Sequence, residues 1–162
     1  MNSDTASQAT DPASLTAAMR ATAPMLETLG VEVLELGERV RIRMPNEERI
    51  RNHVGGPHAG AIFTLGETTA ATLMMVRLGH LLDRAVPLAV SGEIRWSKLA
   101  QCAVIAEATM SVDPAELERE FLSGGRPEWS TDITFTREDD GAPCAAMSVV
   151  LTLVRPRADP PR

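Results

Sequence analysis

Between His58 and roughly Leu78 nearly every position is apolar or small, and Glu67 is the only charge before Arg77. The run predicts one long helix, roughly 30 Å at about 1.5 Å per residue. Ala59, Ile62, Phe63, Leu65, Ala71, Leu73 and Met75 fall on different sides of it, so it has no polar face. A helix that is hydrophobic all round has to be buried by its surroundings. Glu67, four threonines and two glycines within Ala59 to Val76 make the run too polar at its centre to span a membrane. The rest of the chain must supply the cover.

The flanking segments are suited to that. Asp11-Pro12 is a helix start, with a capping carboxylate before a residue whose missing N–H costs nothing in the first turn. Helical spacing runs on to Leu29, Gly30 is a stop, and Pro24 should kink or split the helix. Val31 to Leu36 and Arg39 to Met44 predict a hairpin around Gly37-Glu38, with a slip of alternation between Val33 and Leu34 that marks a bulge. A polar loop, Pro45 to Pro57, leads into the long helix. Leu88 to Trp96, Ala103 to Val112, Trp129 to Arg137 and Ala145 to Val154 read as strands. Pro114 to Leu122 reads as a short inserted helix, and Asp140-Gly141 as the turn joining the last two strands. The sum is an α+β fold, a curved antiparallel sheet wrapped around one long central helix. We expect a single domain over 12–155, with disordered tails at 1–11 and 156–162.

Composition narrows the function. The 162 residues are 44% hydrophobic and 23% charged, with net charge −6, which argues against a nucleic-acid surface held by bulk charge. A small patch for a phosphorylated ligand stays compatible. Cys102 and Cys144 have no metal-like or redox-like spacing and are expected to be reduced. The three histidines are not spaced with carboxylates as metal ligands are, so no metal is expected. P-loop, dinucleotide and G-x-S-x-G motifs are absent, and no cofactor is expected. Met1 to Asp11 lacks the basic and apolar regions of a secretory signal, so the expected location is cytoplasmic.

The chemistry concentrates between Asn52 and Thr69. A glycine-bearing loop enters the N-terminus of the long helix, whose first N–H groups have no intrahelical partner. Ala59, Gly60 and Ala61 let a ligand approach that backbone, which makes an oxyanion hole for a carbonyl oxygen. Glu67 is costly to bury, and burial raises a carboxyl pKa toward general-base work. It lies nine positions after His58, about 13 Å and roughly half a turn away. Within one chain the two are not expected to converge on one atom; if both are catalytic, they meet across a subunit interface.

Each of these residues has a plainer reading. Glu67 could be a structural carboxylate, His58 a helix cap, and Asn52 a loop staple. Leu73-Met74-Met75 fits core or an acyl pocket. Arg95, Lys98 and Arg137 could meet phosphates or be solvated strand charges. His53 and His80 read as surface residues.

Asn52, His58-Ala59-Gly60 and Glu67 resemble a motif of the hotdog-fold acyl-CoA thioesterases of the phenylacetate-pathway type and their 4-hydroxybenzoyl-CoA thioesterase relatives. That motif has an Asn, six residues later His-Gly-Gly, and an Asp or Glu nine residues after the His. With the order of elements, the resemblance covers roughly Leu26 to Val154. It implies a hotdog fold and hydrolysis of an acyl-CoA or acyl-carrier thioester. Glu67 would be general base or nucleophile, the Ala59 N–H would polarise the thioester carbonyl from the partner subunit, and Asn52 would position the water or the carboxylate. His58 would support the loop or the carbonyl, and Gly60 and Thr68 would border the substrate. Coenzyme A would be part of the substrate. The family's dimer joins two sheets edge to edge, and a dimer of dimers is a further expectation. Ala59 departs from the family's first Gly, and the variant resembles an uncharacterised branch. The alternative is therefore a non-catalytic acyl or acyl-CoA binding protein. A dehydratase or isomerase would need a differently placed His and carboxylate.

Overall fold

The computed structural model describes residues 11–156; the expected tails lie outside that span except for Asp11 and Pro156. Asp11 Oδ1 accepts from the N–H groups of Ala13 and Ser14, both at 3.0 Å, and starts α1 (Pro12–Thr22). The helix breaks at Ala23, because Pro24 can neither donate nor follow a helical residue without a clash. α2 (Pro24–Leu29) then runs to Gly30, whose φ of 64° closes it in the left-handed region. β1 (Glu32–Glu35) pairs with β2 (Arg39–Met44), and the register shifts between Val33 and Glu35, where the alternation slips. α3 (Ala59–Leu78) is the long helix. β3 (Val86–Trp96), β4 (Val104–Met110), α4 (Pro114–Leu122), β5 (Glu128–Arg137) and β6 (Pro143–Val154) follow.

The six strands form one antiparallel sheet in the order β1-β2-β4-β5-β6-β3. Its inner residues, among them Ile42, Ala106, Ile133, Phe135 and Val149, are buried with Leu65, Leu73 and Met74 of α3. This is the expected α+β architecture, a curved sheet around one helix. The segment Ala59–Leu81 is long and apolar enough to cross a membrane, but 56% of an apolar 18-residue stretch within it is buried inside the chain, as in a core helix.

Helix and sheet approach most closely at Gly66. A Cβ there would lie 2.6 Å from both Met147 Sδ and Phe135 Cζ. Gly66→Ala should therefore overpack the core and cost about 1–3 kcal/mol, read by urea unfolding. A loss under about 0.5 kcal/mol would mean that the side chains yield freely.

The cover of α3 is incomplete in the single chain. Gly60, Thr64, Glu67, Ala71 and Met75 are half-buried or exposed and recur every three or four residues, leaving one open stripe. The two sheet edges also differ. At β1, α1 substitutes for a missing strand: Thr16 Oγ1 accepts from Val33 N–H at 2.8 Å, and Arg20 Nε donates to the Val31 carbonyl at 2.9 Å. β3, eleven residues long and exposed at every position except Ile94, has no such cover among the described residues.

Candidate active site

The loop before α3 is held by Asn52. Its Oδ1 accepts from Val54 N–H at 3.0 Å and Gly56 N–H at 3.2 Å, and its Nδ2 donates to the Pro57 carbonyl at 3.4 Å. Cross-links tie the loop to the segment after β3: Gln101 Nε2 donates to the Val54 carbonyl at 2.7 Å, and Asn46 Nδ2 donates to the carbonyls of Gly55 and Gln101. The loop-staple reading of Asn52 thus describes its oxygen fully, while one Nδ2–H has no acceptor among the described residues.

His58 caps α3. Its Nδ1 accepts from Gly60 N–H at 3.0 Å, and its carbonyl accepts from Ala61 and Ile62 at 2.9 and 3.1 Å. A neutral ring that accepts at Nδ1 carries its proton on Nε2. Among the described residues, this leaves the Ala59 N–H as the one donor of the first turn with no acceptor. It is the N–H singled out from the sequence.

Ala59 opens on a cavity of about 370 Å³. Asn52, Pro57 and Ile62 line it from the loop and helix; Trp96, Ser97, Lys98, Leu99 and Ala100 line it from the end of β3. The β3 side, apart from Lys98, is not apparent from the sequence. The signal is only a tryptophan at a strand end, 48% exposed, and it needs the sheet order before it points anywhere. Of the three cations considered for phosphates, Lys98 lines the cavity and Arg95 is exposed without an ion pair among the described residues. Arg137 is already held by Asp140, with Nε to Oδ1 at 3.0 Å.

Glu67 does not line this cavity. It sits half-buried on the open stripe of α3 and makes no hydrogen bond or ion pair among the described residues. Burial, uncompensated by any partner, pushes its carboxyl above the usual glutamate range. Thr68, next to it, is 6% exposed and lies among the buried residues. Gly60 is exposed beside Ala59. The single chain therefore brings Asn52, His58, Ala59 and Gly60 together and leaves Glu67 and Thr68 further along the helix.

A larger cleft of about 750 Å³ contains none of these residues; it is lined by Glu35, Arg39, Arg77, Asp113 and their neighbours. Cys102 and Cys144 are free thiols, and burial raises that of Cys144. Among the described residues, no group of three or more His, Cys, Asp or Glu is placed to hold a metal ion.

A six-stranded antiparallel sheet wrapped around α3 is the hotdog fold. The chain belongs to the DUF4442 family, a domain of unknown function whose profile matches residues 12–153. Among solved structures it resembles a Pseudomonas aeruginosa protein of unknown function described as a probable thioesterase, at 24% identity and TM-score 0.77, covering 90% of this chain and 97% of that one. A Haemophilus influenzae thioesterase shares 17% identity at TM-score 0.73, covering 90% and 91% of the two chains. Zebrafish thioesterase superfamily member 2 shares 20% identity at TM-score 0.68, covering 87% and 96%. At these identities the likeness is one of fold. No curated protein matches the sequence.

Proposed function

We propose that the protein is a cytoplasmic, dimeric thioesterase that hydrolyses an acyl-CoA or acyl-carrier thioester. The observation that carries this reading is the unpaired Ala59 N–H at the mouth of a mainly apolar cavity, together with an unpartnered carboxyl on the open stripe of the same helix. The thioester carbonyl oxygen accepts from Ala59 N–H of one subunit. Glu67 of the other removes a proton from water as its oxygen attacks the carbonyl carbon. The negative charge gathers on the oxygen held at Ala59, where the helix dipole favours it. When the C–S bond breaks, the proton on Glu67 passes to the departing thiolate. Asn52 holds the loop in place and offers its free Nδ2–H to the substrate or water. His58 fixes the first turn and Gly60 keeps the approach open, while Thr68, turned into the core, is left out of the site.

The bare β3 edge supports the dimer, since an exposed strand with unpaired backbone groups invites pairing and β1 is already blocked. A further pairing of dimers into a tetramer is compatible with this arrangement. Thiol release from a panel of acyl-CoAs, with Glu67→Ala as control, tests the chemistry; equal rates would remove Glu67 from it. Sedimentation tests the assembly, and a monomer at micromolar concentration would break the cross-subunit site.

One observation favours a second reading, a non-catalytic acyl-thioester binder: the Asn52 oxygen is wholly occupied by its own loop. Saturable binding of acyl-CoA without turnover across the panel would support it.

A further inference from the structure

We propose that two copies of the chain pair through β3 about a twofold axis at Ile94, so that Glu93 of each copy faces the partner's Arg95. This rests on the dimer reading above and fixes its register.

The backbone decides which residues are free to pair. Ser97 N–H donates to the Cys144 carbonyl at 2.9 Å, while Trp96 stands opposite Ala145. Antiparallel alternation then turns the backbone groups of Ser91, Glu93 and Arg95 toward β6, and those of Gly92, Ile94 and Trp96 toward the open edge. The register shift between Ala89 and Ser91 marks a bulge that interrupts this edge. The regular stretch is Ser91 to Trp96, with its midpoint between Glu93 and Ile94.

Charge selects among the possible centres. An axis at Glu93 sets two carboxylates directly opposite, and one at Arg95 sets two guanidiniums opposite; both are unfavourable. An axis at Gly92 places Glu93 against Ser91 and Arg95 against Ala89, with no gain. An axis at Ile94 makes two Glu93–Arg95 pairs. Within its own chain Glu93 stands beside Ser148 and Arg95 beside Ala146, and neither makes an ion pair among the described residues. Arg39, Arg41 and Arg43 of β2, next to the blocked β1 edge, all have carboxylate partners.

The opposite face of β3 gives an independent reason. With Ile94 at the axis, Gly92 faces the partner's Trp96. A Cβ on Gly92 would lie 3.0 Å from Phe63 Cζ, so the Phe63 ring lies against Gly92. Phe63 is one helical turn before Glu67. Trp96 lines the cavity that holds Asn52 and Ala59. The register chosen by charge therefore carries the Ala59 cavity of one copy to the Glu67 turn of the other, the juxtaposition the proposed reaction needs. It also covers Trp96 and sets it beside the partner's Phe63, an aromatic pair across a glycine.

The test is a charge-swap cycle read as dimer Kd by sedimentation at low ionic strength. Glu93→Arg and Arg95→Glu should each raise Kd roughly tenfold, because each turns two attractive pairs into repulsive ones. The double variant should return to within about threefold of the wild type. A double variant no tighter than the singles overturns the register while leaving the dimer reading intact; a monomeric wild type overturns both. Disulfide trapping gives a second readout that does not depend on affinity. Glu93→Cys chains mixed with Arg95→Cys chains should cross-link, since that pair has the close spacing of a non-hydrogen-bonded site. Neither variant should cross-link alone, and a dimer of Glu93→Cys alone would place the axis at Glu93 and overturn the proposal.

Discussion

Glu67→Gln is expected to lower kcat for thioester hydrolysis by about 10²–10⁴-fold, the usual contribution of a positioned general base, and to stabilise the fold at neutral pH. The two effects have one cause. Glu67 has no partner among the described residues, and burial alone raises its carboxyl pKa. A raised pKa means that the native state binds the proton more tightly than the unfolded chain, whose glutamates titrate near about 4.3. The contribution of Glu67 to stability is then fully present below that value and is lost as pH rises through the raised native value. Above this window the wild type carries an unpaired, half-buried carboxylate and Gln does not, so the variant should melt higher. Below it the two should melt alike. Activity has the opposite dependence, because only the ionised carboxylate accepts a proton. In the wild type, kcat should fall on acidification through the same raised pKa. Melting curves from pH 4 to pH 8 and a pH–rate profile check both. A variant that is less stable than wild type at pH 7 would show a structural partner for Glu67 and return it to the plainer reading.

Gly56→Ala should have the largest effect on stability, about 3 kcal/mol or more by urea unfolding, with loss of thioester turnover at any substrate concentration. Gly56 is buried, its N–H donates to Asn52 Oδ1 at 3.2 Å, and its carbonyl accepts from Asn52 N–H at 2.8 Å. A Cβ would lie 2.0 Å from the Ala100 carbonyl oxygen. The obstacle is backbone, so no rotamer change relieves it. Either the loop backs away from Ala100 or the segment after β3 moves, and both line the cavity that Ala59 opens on. Gly79→Ala is the control: Gly79 has helical backbone angles and nothing within 4 Å of its Cβ position, so it should be neutral or slightly stabilising. Equal losses for the two variants would mean that the contact with Ala100 is not what holds the loop.

The local signals in the sequence were reliable where short-range chemistry sets them. Pro24 splits the first helix, Leu34 falls at the bulge, and Asp11 and His58 cap their helices. The motif residues at the start of α3 cluster because they are near in sequence, Asn52 held by its own loop and His58 to Gly60 by the first helix turn. Trp96 to Ala100 were not legible as their neighbours, since nothing local says that β3 lies beside β6 at the sheet edge. The capture of Arg137 by Asp140 follows from their closeness around the Asp140-Gly141 turn, once that turn is taken as formed.

By itself the sequence determined the single long apolar helix, the strands around it and the one charge that such a helix carries, because periodicity and burial cost are properties of each segment alone. Tertiary structure decided the rest. Among the described residues it left one stripe of that helix and one edge strand uncovered, closed the cavity at Ala59 with the distant Trp96 to Ala100 segment, and kept Glu67 out of it. The physical reason is that pairing between segments far apart in the chain depends on fit across the whole sheet, and no single segment encodes that fit.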